Sequence, residues 1–165
     1  MVTEFIYWSD YYNSIISPFY SYSTGRTKET LRSSQVTCRD IDDDGYIEIP
    51  EDTSSKKQSS EITSQNWVNY GNTVLSHKCY SFSCKRDGYI LVIDDDDFSK
   101  VKANYDSESR KLTIIDKKNK SNVFEIVTLI NSNYSVNDPK YKDYTMIMKN
   151  SGFVYLAKVN KSSDI

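Results

Sequence analysis

The chain has 165 residues with 23 acidic and 21 basic side chains, and its net charge of −2 offers no general attraction to nucleic acid or to an anionic membrane surface. No apolar run approaches the ~20 residues that span a bilayer, and five glycines leave little room for phosphate-cradling loops. The length fits one domain or a domain with an appended segment, and 14 tyrosines, 6 phenylalanines and 2 tryptophans suit pleated, half-exposed surfaces.

The first ten residues, MVTEFIYWSD, lack the basic region, apolar stretch and small-residue cleavage site of a secretory leader, which read literally predicts a product kept inside the cell. Residues 5–22, FIYWSDYYNSIISPFYSY, are dense in aromatics and fit either a short helix ending before Pro18 or two strands. Such an apolar surface needs a cover, either the neighbouring part of the chain or a second copy of it in a homodimer.

Residues 40–51, DIDDDGYIEIPE, carry the one pattern that names a chemistry. Asp40, Asp42 and Asp44 put hard oxygen ligands at loop positions one, three and five, and Gly45 at position six permits a sharp turn. The Tyr46 carbonyl would serve position seven, Glu48 position nine and Glu51 position twelve. Seven of the 13 residues from 40 to 52 are acids, and their repulsion calls for a cation, here Ca2+. Residues 35–39, QVTCR, alternate like a half-buried strand, and residues 46–49, YIEI, form another that stops at Pro50. The expected setting is therefore a strand-loop-strand calcium hairpin, in which Glu48 is the better ligand because Glu51 serves best when a helix follows the loop. An ion clasped in this way pins two strands rather than activating water.

Residues 53–65 are almost wholly polar and read as a linker, which divides the chain into a segment 1–52 and a domain 66–165. In that domain residues 66–70 and 73–83 alternate around Gly71-Asn72, a hairpin turn, and residues 89–93 form a buried strand. Strands are predicted over 101–105, 111–116, 123–130, 144–149 and 153–159, with a short helix over 136–141. The fold class is α+β and β-rich: a twisted antiparallel sheet with one or two short helices, preceded by the calcium-loop hairpin.

The remaining candidates read as structural. Asp94 to Asp97 lack the alternation that makes carboxylates converge and are taken as a solvated helical turn capped by Asp96 or Asp97. Lys117 to Lys120 have no interleaved aromatic and form a hairpin tip. Cys38, Cys79 and Cys84 match no zinc spacing and are expected as free thiols. His77 and Cys79 share a strand face but lack a third orienting group, so a nucleophilic pair is not expected. GxSxG and HExxH motifs are absent from the sequence, and no carboxylate pair stands out, so the chain is read as non-catalytic.

Residues 31–50, LRSSQVTCRDIDDDGYIEIP, resemble FG-GAP or VCBS β-propeller blades with their DxDxDGxxE loop, and in particular the last blade of certain Gram-positive lipoproteins. Trp67, the Asp87-Gly88-Tyr89 strand opening and the strand, helix and hairpin order that follows look like the C-terminal α+β domain of those proteins, and more distantly like a PsbP-like fold. The chain departs from the propeller pattern in that residues 1–65 hold about one and a half blades, where a propeller closes with about four to eight. The resemblance implies an exported, cell-surface parent of which this chain is a part, a structural calcium ion, and contact with a protein or glycan. An enzyme or accessory domain with an unseen carboxylate cleft, and a structural remnant without an ion, are the competing readings.

Overall fold

Runs such as VLSHKCYSFSC and NVFEIVTLI set side chains alternately on two faces, the period of a pleated strand. The computed structural model of the chain describes residues 6–17, 20–21, 23–27, 36–53, 61–71, 74–135 and 138–160, and it folds these runs into antiparallel sheets. Parts of the expected elements at residues 5, 18–19, 22, 31–35, 54–60, 72–73 and 136–137 lie outside the described residues.

Two small hairpins come first. Strand β1 (Tyr7–Ser9) pairs with β2 (Ser14–Ile16), and β3 (Tyr20–Ser21) with β4 (Arg26–Thr27). The aromatic amino-terminal stretch is thus strand rather than helix, and Asn13 takes the left-handed conformation (φ 46°) that a tight turn needs.

Strands β5 (Ile49–Asp52), β6 (Ile62–Gly71), β7 (Val74–Cys84) and β8 (Tyr89–Ile93) form a four-stranded sheet in that order. Pro50 does not end a strand as expected but lies inside β5. The position tolerates proline because β5 is an edge strand, whose outward side has no ladder to supply. The expected linker is also shorter, since residues 62–65 belong to β6, where all four pair with β7 and Gln65 pairs with β5 as well. The acidic loop therefore leads directly into β5 of this sheet.

After the four-residue helix α1 (Asp95–Phe98) come β9 (Val101–Asp106), β10 (Lys111–Asp116), β11 (Asn122–Ile130), β12 (Thr145–Lys149) and β13 (Phe153–Val159). They form a second sheet in the order β12-β13-β11-β10-β9. Strands take 54% of the described residues and helical turns 8%, so among them the α+β expectation reduces to antiparallel sheets with almost no helix. Helix fails to extend because its first turn is three aspartates with no apolar stripe to bury. Its N-cap is Asp94, rather than Asp96 or Asp97, and no side-chain bond caps it. The expected 136–141 helix appears as a 3-10 turn at Pro139–Tyr141, where the Asp138 side chain accepts the Lys140 N–H at 2.9 Å.

The two sheets share one core. Ile62 and Phe82 from the first meet Val101, Leu112, Ile114 and Ile126 from the second, with Phe98 of α1 packed against them. A polar pin also joins the sheets at one end. Asp87, in the β7–β8 turn, accepts bonds from Arg110 Nε (2.8 Å) and Tyr105 Oη (2.8 Å), while Tyr155 Oη donates to its backbone carbonyl at 2.9 Å.

Candidate metal site

The acidic loop is closed by a single antiparallel bridge in which Arg39 and Glu48 exchange backbone hydrogen bonds of 3.2 and 2.9 Å. Below it lies a second, smaller core: Ile49 and Val68 are buried, with Cys38 and Leu75 packed against them. Residues just outside both ends of the loop are thereby anchored in apolar contacts, and the clasp is a bridge rather than the longer hairpin expected.

Within the loop, Asp40 organises the turn. Its carboxylate accepts the Asp44 N–H at 3.1 Å and the Gly45 N–H at 2.8 Å, and Asp44 Oδ1 accepts the Tyr46 N–H at 3.0 Å. Asp43 (φ 61°) and Gly45 (φ 89°) are left-handed, a conformation in which glycine carries no steric cost. Nothing lies within 4 Å of where a Gly45 Cβ would stand, so glycine is required there by the backbone conformation and not by space.

Glu48 is fully buried. Its Oε2 accepts the Ile41 N–H at 3.0 Å, whereas its Oε1 is buried with no hydrogen-bond partner. An unpaired buried oxygen of this kind costs roughly 1–3 kcal/mol. Asp40, Asp42 and Glu48 each offer an oxygen within 4.8 Å of the others, so this acidic triad could hold a metal ion.

Of the six residues expected as ligands, the fold brings Asp40, Asp42 and Glu48 together. Asp44 turns instead to Lys78, whose Nζ stands 2.7 Å from Asp44 Oδ2 and 2.7 Å from Asp42 Oδ2. The Lys78 bond holds the Asp44 carboxyl below the usual carboxylate range, aided by the Tyr46 N–H. Bonds to Asp42 and then Asp44 raise the Lys78 ammonium above its ordinary value. Tyr46 is exposed. Glu51 is not brought to the triad, because it sits in β5, where its Oε2 accepts from Asn66 Nδ2 at 3.1 Å.

The other chemistry-bearing residues are engaged in the fold. His77 Nε2 faces the Asp95 carboxylate at 2.8 and 2.9 Å and Nδ1 bonds Asn66 Oδ1, so both ring nitrogens are committed away from Cys79. Burial pushes the Cys79 thiol up to about 11 and raises that of Cys84, keeping both protonated near neutrality. Cys38, Cys79 and Cys84 form no disulfide among the described residues. A cavity of about 500 Å³ is lined by Ile62, Phe82, Phe98, Val101 and Tyr105 with Thr53, Ser64, Asn104 and two lysines among others, and by no carboxylate among the described residues. Among the described residues no helix is long and apolar enough to cross a membrane.

No family model, curated protein or solved structure matches the chain.

Proposed function

We propose that the chain is a non-catalytic, calcium-stabilised β-rich module that contacts another protein or a glycan at a cell surface. The buried, unpartnered Oε1 of Glu48 carries the ion part of this reading, because a carboxylate oxygen withdrawn from water beside two aspartates calls for a positive charge. The donors are all oxygens, which favours a hard cation over zinc, and a loop with ligand spacings up to 4.8 Å suits the larger, less geometrically demanding calcium better than magnesium. The ion's part is structural: it would tie the loop to the Arg39–Glu48 bridge and so to the edge of the first sheet.

The contact part rests on the amino-terminal hairpin. Trp8 and Ile15 lie directly opposite each other on β1 and β2 and are 57% and 63% exposed, with Tyr11 and Tyr12 exposed at the turn between. Exposed aromatics grouped in this way are typical of recognition surfaces. The kinship with FG-GAP or VCBS blades of exported lipoproteins belongs to this same proposal and is supported by the loop pattern.

Thermal unfolding tests the ion reading. Millimolar calcium is expected to raise the midpoint and a chelator to lower it, with the shift growing logarithmically with ligand concentration and reaching about 2.7 kcal/mol at a hundredfold excess over Kd. Asp42→Ala combined with Asp44→Ala should abolish the shift. Equal midpoints in calcium and chelator for the natural chain would overturn the reading.

A further inference from the structure

Lys78 reaches the loop because of an irregularity in β7. Trp67 pairs with Cys79 and Val68 pairs with His77, so Lys78 is an extra residue with no partner across the ladder. A bulge of this kind re-aims the side chain of the extra residue. Its neighbours on either side are fixed: His77 is bonded to Asp95 and Asn66, and Cys79 lies opposite fully buried Trp67. The backbone at this point is thus held, and only the long lysine side chain reaches out to the loop.

Aimed this way, the ammonium bonds Asp42 and Asp44 together at 2.7 Å each. Asp42 is also a member of the triad with Asp40 and Glu48. One carboxylate therefore faces two claims, from a cation fixed to the chain and from a cation supplied by solution. We infer that Lys78 is a tethered competitor for the ion: its ammonium and a divalent cation contend for Asp42, and the loop admits the ion only as the lysine leaves. This inference rests on the proposed ion site and adds its regulation. It sets the affinity below what the oxygen donors alone would provide, so the site responds to concentrated calcium and stays closed by its own lysine when calcium is scarce. It also links the loop to the middle of the sheet, since ion entry breaks the Lys78 bonds that tie β7 to the loop.

The experiment is calorimetric titration of calcium chloride alone into the natural chain, Lys78→Met and Lys78→Arg, at fixed ionic strength and with magnesium chloride as comparison. Lys78→Met should bind calcium more tightly by about tenfold, the size expected when one positive charge is removed beside a divalent ion in a partly exposed setting. Lys78→Arg, which keeps the charge, should stay close to the natural chain. Binding by Lys78→Met where the natural chain is silent supports the inference in its strongest form. Equal or weaker binding by Lys78→Met, with the natural chain binding, overturns the competition while leaving the ion site intact. If neither chain binds calcium at millimolar concentration, the ion site itself fails and the competition with it.

Discussion

Glu48 stands at the point where the loop becomes sheet, and its two oxygens have different fates: one accepts a backbone N–H and the other is buried alone. Glu48→Gln keeps the shape of the side chain and removes its charge. It is expected to eliminate the calcium-dependent rise in melting temperature while the ion-free protein still unfolds cooperatively; a calcium response equal to that of the natural chain would remove Glu48 from the ligand set. Thiol chemistry gives an independent check at the same scale. Since burial holds Cys79 and Cys84 protonated, both should react with a disulfide reagent at pH 7.5 far more slowly in the folded chain than in denaturant, and rapid labelling of either in native conditions would contradict the packing described. Asp40, Asp42 and Glu48 were readable in the sequence because the ligand pattern of a loop is local, set by alternation around a glycine. Lys78 was not, because it approaches from 34 positions away through a bulge that no residue type announces.

Among the elements, β8, β10 and β13 coincide with the runs that marked them, although β8, expected as a buried strand, is half-exposed. What the period leaves out is neighbourhood. Pro50 reads as a stop until β5 is known to be an edge, and residues 62–65 read as linker until Ile62 is seen in the apolar core and Gln65 in a buried network where Ser83 Oγ donates to its Oε1 at 2.6 Å. The pin at Asp87 is of the same kind, since its partners come from β9, the β9–β10 turn and β13. Asp87→Ala would strand the Arg110 guanidinium and the Tyr105 hydroxyl, and should lower stability by roughly 3 kcal/mol. Urea unfolding should show that loss as a lower midpoint with an unchanged slope. A midpoint within experimental scatter of the natural chain would mean that the apolar core alone joins the sheets.

At the scale of the molecule, the exposed apolar features among the described residues include the Trp8–Ile15 face of the first hairpin and edge strand β12, where Met146, Ile147 and Met148 are each about half exposed. The proposed contact surface is the first. Trp8→Lys combined with Ile15→Lys is expected to reduce concentration-dependent association in sedimentation runs without altering the calcium-dependent melting shift; association that persists in this variant would move the contact face to the β12 edge. The broad class, a β-rich antiparallel protein, was legible from tyrosine content and alternation. Its two-sheet layering was not, because sheet-on-sheet packing depends on which faces meet, and alternation describes each strand alone. The central claim is that the Asp40, Asp42 and Glu48 oxygens gather round a calcium ion. A crystal structure determined in millimolar calcium tests it most directly. The account predicts density for one ion with oxygens of these three residues at about 2.3–2.6 Å and Lys78 swung clear of Asp42. A loop with no such density, and with Lys78 still bridging Asp42 and Asp44, would contradict it.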